Sequence, residues 1–415
     1  MKLRPALASG LTAFAVAWAA GAWLLWRSTV PGNLKPPHVE PARFFSAHEL
    51  ARTSSYDRFL RVDELLSLVA LLAALAVFAW KGRGFTRESA AGRVGTGMLL
   101  GMLAFAVVWI AQLPFGLAEL WWERRHGASR EGYVPWAIAD WLQLGSTFLF
   151  VCLAIVIVMG LANVLGRRWW IVGGPAFVGI AILFAFLQPY LVVGSSRPVR
   201  EPWLKQTIGR LERKEGISGT PVHVLKVSKD TDEVNAFATG LGPSRSVFLY
   251  DTFLSPSYTH RQVAVVLAHE FGHLRRDHIW KGLAWYALFA IPGAFLVTRA
   301  VRRHGGLTDP AAIPLALFVL VLLQTLAMPV QNVISRRLES EADWQALQAT
   351  RDPAAALGLF RKFSTSDLEQ PRPPTWAYLL FEDHPTIVQR LAMVEAWKGR
   401  ATARARAAAR TPAGS

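Results

Sequence analysis

Seven long apolar runs constrain this chain more than anything else in its sequence. They are Leu7–Trp26, Leu65–Trp80, Val94–Leu113, Leu142–Leu165, Trp169–Val193, Leu283–Val301 and Ile313–Ile334. A helix of about 20 residues crosses a hydrocarbon core of about 30 Å and satisfies its own backbone hydrogen bonds there. With 52% hydrophobic and only 18% charged residues among 415, the chain is too apolar for an ordinary soluble enzyme. The runs therefore read as the spans of a mainly α-helical polytopic membrane protein. Leu65–Trp80 is short for a crossing, and Leu283–Val301 carries Pro292. Leu7–Trp26 follows Lys2 and Arg4, as a signal peptide would, but its length and the terminal Trp23 and Trp26 favour a retained span.

The formal net charge of +16 would suggest nucleic acid in a soluble protein. Here the basic residues flank apolar runs, where they meet anionic lipid, and no basic-aromatic nucleic-acid motif appears. The partner implied is the bilayer. Cys152, the single cysteine, permits no intrachain disulfide. Gly97 and Gly101 form a small-xxx-small pair suited to helix packing. The chain divides into an N-terminal membrane region with five spans (1–194), a polar block (195–280), two spans (281–334), a second polar block (335–398) and a basic tail expected to be disordered (399–415). Neither polar block is a comfortable domain by itself, so the two are expected to fold together beside the membrane. In the first, Trp203–Lys214 reads as a helix closed by Gly216, and Val222–Val227 and Val247–Tyr250 read as strands.

His269-Glu270-Phe271-Gly272-His273 lies on a helix read over Arg261–Ile279. Two histidines four apart lie about 40° apart around a helix axis, so both imidazoles can reach one metal ion. The glutamate between them is placed to handle the attacking water. Two ordinary surface or core histidines are the bland alternative. Arg275, Arg276 and Asp277 follow at once, which keeps this helix out of lipid and puts the pair at the membrane surface. Catalytic zinc takes three protein ligands and keeps one open position. His278, five residues past His273, would be about 140° around the same helix and face away. Glu339 and Asp343 share a helix face, with Glu341 roughly opposite, so Glu341→Ala is expected to be mild. Glu339 as a ligand with Asp343 steadying a ligating histidine is one reading of that face; a solvated acidic face paired with Arg336 or Arg337 is the other.

Val263–His278 and Ser335–Asp343 together resemble the metallopeptidase family that contains HtpX and the type-I CAAX prenyl proteases. The resemblance implies a small α+β zincin-type catalytic domain at the membrane surface. It also implies one zinc ion per chain held by His269, His273 and Glu339, with Glu270 as the base. Asn235-Ala236-Phe237-Ala238 resembles the family's rim of the active-site cleft, where an edge strand pairs with substrate. Asp383-His384-Pro385 and Arg390 resemble a C-terminal motif whose histidine and arginine approach the reacting carbonyl, and Val247–Leu254 also fits. Glu123–Ser129, with Trp136 and Asp140, resembles a loop motif of the CAAX prenyl protease branch. Thr386 stands where those enzymes usually carry a second proline, a departure that bears on substrate and leaves the zinc chemistry intact.

The resemblance covers about Leu65 to Trp397 and implies a membrane-embedded zinc endopeptidase acting on membrane-associated or lipid-modified peptides. An HtpX-like quality-control protease is the alternative within the enzyme class. A catalytically idle zinc-containing binding module is the alternative outside it, opposed by the retained Glu270 and by the lack of cysteines for a closed structural site. With seven spans, the polar blocks share one side with the loops Arg27–Glu64 and Trp122–Trp141. Membrane-flanking basic residues there number 17 against 11 opposite, which points the blocks to the cytoplasm of a cell or inner membrane.

Overall fold

A computed structural model describes residues 5–82, 91–366 and 368–410. Lys2, Arg4, Arg83 and Arg87 of the charge comparison, and the tail beyond Arg410, lie outside these residues. The seven apolar runs fall on seven helices: α1 (Pro5–Leu25), α2 (Ala47–Lys81), α3 (Gly92–His126), α4 (Tyr133–Leu165), α5 (Trp169–Val192), and later in the chain α8 (His278–Val301) and α9 (Ile313–Thr350). Among the described residues, five helical stretches are long and apolar enough to cross a membrane. One of the five, Tyr133–Ser195, contains both α4 and α5, which a turn at Gly166–Arg168 separates. Thr12–Leu25 of α1 is a shorter apolar helix.

Several helices outrun their apolar runs. Helix α2 starts at a capping box, with the Ser46 side chain accepting from Glu49 N–H and Glu49 returning the bond, well before the apolar run begins at Leu65. Helix α9 continues beyond Ile334 as a largely buried helix, so one continuous helix joins membrane region and catalytic domain. Helices α3 and α4 pack closely where a Cβ at Gly97 would run into the Met159 sulfur and one at Gly101 into Ile155, which is the packing role expected of that pair.

The two polar blocks share one apolar core. Leu204, Leu211, Val263 and Leu267 from the first meet Leu347, Leu359 and Leu391 from the second. Val39 and Phe45, from the loop after α1, join them. The elements are α6 (Pro202–Glu215), α7 (His260–Arg275), α10 (Pro353–Thr365), α11 (Thr375–Leu380) and α12 (Ile387–Arg410), beside strands β1 (Ser196–Pro198), β2 (Val222–Leu225), β3 (Ala236–Thr239) and β4 (Ser246–Tyr250). Gly216 closes α6 in the left-handed conformation its position requires, at φ 69°. The sheet order is β1-β2-β4-β3, with β2 and β4 parallel and β3 antiparallel to β4 in the register Ala236↔Leu249, Ala238↔Val247. Strand β3 is thus an edge, and Ala236–Ala238 lie on it, with Asn235 just before.

Two expectations need correction. The stretch 399–410, read as disordered, continues α12 to Arg410, consistent with the high helix propensity of its alanines. The helix read over Arg261–Ile279 is two: α7 ends at Arg275, Asp277 sits in the left-handed region at φ 52°, and α8 starts at His278.

Candidate metal centre

The site is made by the crossing of α7 and α9. Helix α7 opens on a capping box between Thr259 and Gln262, which fixes its start. Gly272 lets it lie hard against α9: a Cβ there would stand 3.0 Å from Gln345 Cβ and 3.4 Å from the Ala342 backbone. That close approach brings His269 and His273 to the face of α9 that carries Glu339 and Asp343. The Nε2 atoms of His269 and His273 lie 3.0 Å apart, and Glu339 Oε2 is 3.1 Å from His269 Nε2. Glu339 Oε1 is 3.4 Å from His273 Nε2. One ligand atom from each of the three residues falls within a 4.8 Å cluster.

The electrostatics of the cluster favour a cation at its centre. Burial alone would strip a proton from His269, but its hydrogen bonds to Asp343 and Glu339 outweigh this and push its pKa up to about 10. Burial would likewise raise Glu339, yet the two histidines hold it well below the usual carboxylate range. The carboxylates thus stabilise positive charge on His269, and a metal ion held at its Nε2 would take the place of a proton there. Asp343 Oδ1 is 2.9 Å from His269 Nδ1, the contact that orients a ligating imidazole. Glu270 is buried, which raises its pKa, and the backbone N–H of Ala238 on the edge strand hydrogen-bonds it. His384 is half-exposed, with Nε2 3.4 Å from Glu339 Oε2 and Nδ1 2.6 Å from Asp383.

A cavity of about 910 Å³ opens over His269, Glu270, Asn235, Ala236 and His384. A second, of about 510 Å³, lies among α2, α3 and α4 and shares Leu60 and Glu64 with the first. Trp136 and Asp140, from the loop motif singled out in the sequence, line this second cavity. The end of the Glu123–Ser129 stretch docks on the chain leading to β3: Ser129 bridges Thr231, and the Thr231 hydroxyl donates to Ala128 O at 3.2 Å.

Residues 198–398 match the model of Peptidase family M48. The chain is a membrane metalloprotease that is similar to this family over that stretch, just under half its length. It is 24% identical over 393 residues to an uncharacterized metalloprotease of Bacillus subtilis, YhfN, covering 89% of this chain and 90% of that protein. It is 26% identical over 322 residues to the CAAX prenyl protease 1 homolog of Arabidopsis thaliana, covering 71% and 73%. To the protease HtpX homolog of Acidiphilium cryptum it is 28% identical over 260 residues, covering 54% of this chain and 88% of that one. Its fold matches the crystal structure of S. mikatae Ste24p at a TM-score of 0.72 and 19% identity, over 92% of this chain and 97% of that one.

Three residues of the metalloprotease stand differently from the sequence reading. Arg390 directs Nε and Nη2 at Asp343, 2.9 and 3.2 Å away, and so braces the residue behind His269, while its Nη2 also comes within 3.9 Å of Glu339 Oε2 at the wall of the catalytic cavity. His278 does not face away: the break at Asp277 turns it back, 3.0 Å from His273 Nδ1. Glu341 does point away from Asp343, but that face of α9 is not solvent. Glu341 is fully buried, receives Thr29 N–H and Oγ at 2.9 and 2.8 Å, and pairs with Arg276, His278 and Lys281. No sequence signal marked this hub, because Thr29 lies 312 residues from Glu341. Glu341→Ala therefore leaves cationic groups around a buried site without their anion. Breaking a buried ion pair costs about 3–5 kcal/mol, and the partial exposure of Arg276 and Lys281 places this case near the lower end. A markedly lowered midpoint of thermal unfolding is the expected result; a midpoint within a degree or two of the parent would return Glu341 to the mild role.

Proposed function

We propose that this metalloprotease is a zinc-dependent endopeptidase that cuts membrane-associated or lipid-modified peptides on the cytoplasmic side of a cell or inner membrane. The observation that carries the reading is the convergence of His269, His273 and Glu339 under a cavity whose rim is the edge strand β3. Two imidazole nitrogens and one carboxylate oxygen, with no cysteine, are the donor set of a catalytic zinc site that keeps one position open. These residues would hold one zinc ion per chain. When bound, zinc supplies Lewis acidity, lowering the pKa of water toward about 7 and polarising a carbonyl.

The chain's own residues supply the rest. Glu270, its carboxylate raised by burial, takes the proton from the attacking water and returns it to the leaving amine. His384 presents Nε2 over the site, where it donates to the developing oxyanion. Arg390 holds Asp343, and Asp343 holds His269. An extended substrate adds to the free edge of β3 along Asn235, Ala236, Phe237 and Ala238, a mode that reads backbone shape more than sequence.

Entry from the membrane side is supported by the 510 Å³ cavity among α2, α3 and α4, which adjoins the catalytic one at Leu60 and Glu64. The CAAX prenyl protease reading is preferred to the HtpX one on coverage: 71% of this chain is matched by the Arabidopsis relative, against 54% by the Acidiphilium relative. Purified protein offered a farnesylated CAAX peptide and an unmodified casein-like protein is expected to cleave the farnesylated peptide preferentially. Faster turnover of the unmodified protein would favour the quality-control reading. Orientation rests on seven spans and the excess of membrane-flanking basic residues on one side. A reporter that matures only outside the cytoplasm, fused after Ser415, is expected to stay silent. Signal from it would contradict either the orientation or the span count, with α1 the first span to reconsider.

A further inference from the structure

The proposed ligands His269 and His273 each use Nε2 toward the metal position, so each has Nδ1 left to be oriented. For His269 the partner is Asp343, itself braced by Arg390. His273 has a matching arrangement on the opposite side of α9. His278 Nδ1 lies 3.0 Å from His273 Nδ1, with the rings 4.9 Å apart and nearly perpendicular at 83°. His278 Nε2 lies 3.2 Å from Glu341 Oε2. Glu341 is held in turn by Arg276 Nε at 2.8 Å, Lys281 Nζ at 3.1 Å and the backbone and hydroxyl of Thr29.

We infer that His278 and Glu341 form a positioning relay that fixes the tautomer and ring orientation of His273 as a metal ligand. The tautomers follow from the order of partners. Coordination of a metal through Nε2 would leave the His273 proton on Nδ1, to be donated to His278 Nδ1, and His278 Nε2–H would donate to the Glu341 carboxylate. Each donor meets one acceptor, and the chain ends on a buried anion whose charge is balanced by Arg276 and Lys281. The backbone is shaped for this contact. On an unbroken helix His278 would lie about 140° from His273. Asp277, in the left-handed region at φ 52°, ends α7 and returns the next residue over the preceding turn. A non-glycine residue seldom adopts that conformation, and here it places a histidine that is only 4% exposed against a proposed ligand.

The relay rests on His273 being a ligand, and the test separates the two claims. Zinc affinity is measured on the full-length chain in detergent by competition with a chromophoric chelator. The parent is expected to bind one equivalent; no zinc in the parent contradicts the site itself. His278→Ala is expected to weaken zinc about 10- to 100-fold, the usual effect of removing an outer partner of a ligating histidine. His278→Gln, whose amide oxygen can still accept from His273 Nδ1–H, is expected to recover part of that loss. Arg275→Ala, which breaks the 2.9 Å pair with Glu215 at the same end of α7 without touching the relay, is expected to bind as the parent does. If His278→Ala does not fold, His278→Gln against the parent decides, with a several-fold weakening expected. Zinc affinity within twofold of the parent in the folded His278 variants, or an equal loss in Arg275→Ala, overturns the relay while leaving the site intact.

Discussion

Glu270→Gln protein is expected to keep its zinc and lose its turnover. The substitution preserves shape and removes only the capacity to take a proton, so the ligand atoms of His269, His273 and Glu339 stay where they are. General-base catalysis of this kind contributes about 10²- to 10⁴-fold, and a loss in that range should appear in single-turnover peptide cleavage. Burial already raises the Glu270 pKa, placing its basicity nearer to that needed for proton transfer around neutrality. Glutamine also keeps an acceptor for the Ala238 N–H, so the edge strand is not expected to shift. Turnover within tenfold of the parent would remove Glu270 from the role of base.

Glu339→Ala is expected to fail one step earlier, by losing the metal. Its two oxygens lie against both proposed ligand histidines, at 3.1 and 3.4 Å, and no other carboxylate of α9 is placed to replace it. Asp343 is turned to His269 Nδ1 and Arg390, and Glu341 is on the far side in the Thr29 hub. The fall in zinc affinity should therefore exceed the roughly 10- to 100-fold that loss of an outer partner costs. Activity should fall with it and return only partly at high zinc. Equal zinc affinity in Glu339→Ala and parent, measured by the same chelator competition, would show that α9 supplies no ligand.

Part of this site was legible from helical periodicity, while the choice of Glu339 as ligand and the readings of His384 and β3 came from the resemblance. The spacing of His269 and His273 put both on one face of α7, and the spacing of Glu339 and Asp343 put both on one face of α9. Strand β2 was legible from alternation, β4 from its short apolar run, and α6 from its apolar face and Gly216. What escaped depended on the third dimension. No proline or glycine marks the break between α7 and α8, since Arg276 and Asp277 make the turn themselves, so His278 was placed on the wrong face. The face of α9 opposite the site was expected to matter little because Thr29, Arg276 and Lys281 reach it only after folding. Arg390 carries no local sign that its guanidinium pairs with Asp343. In the membrane region the apolar runs found the helices but understated α2 and α9, whose polar halves leave the bilayer to build the cavity and the metal site.

Quantitative metal analysis of the purified full-length chain, beside a His269→Ala/His273→Ala double variant, tests the central claim most directly. The parent is expected to carry one zinc ion per chain, and the double variant to carry essentially none while retaining its helical content. A parent free of zinc after purification with the metal supplied, or a double variant that still holds a full equivalent, would contradict the placing of the catalytic centre at the crossing of α7 and α9.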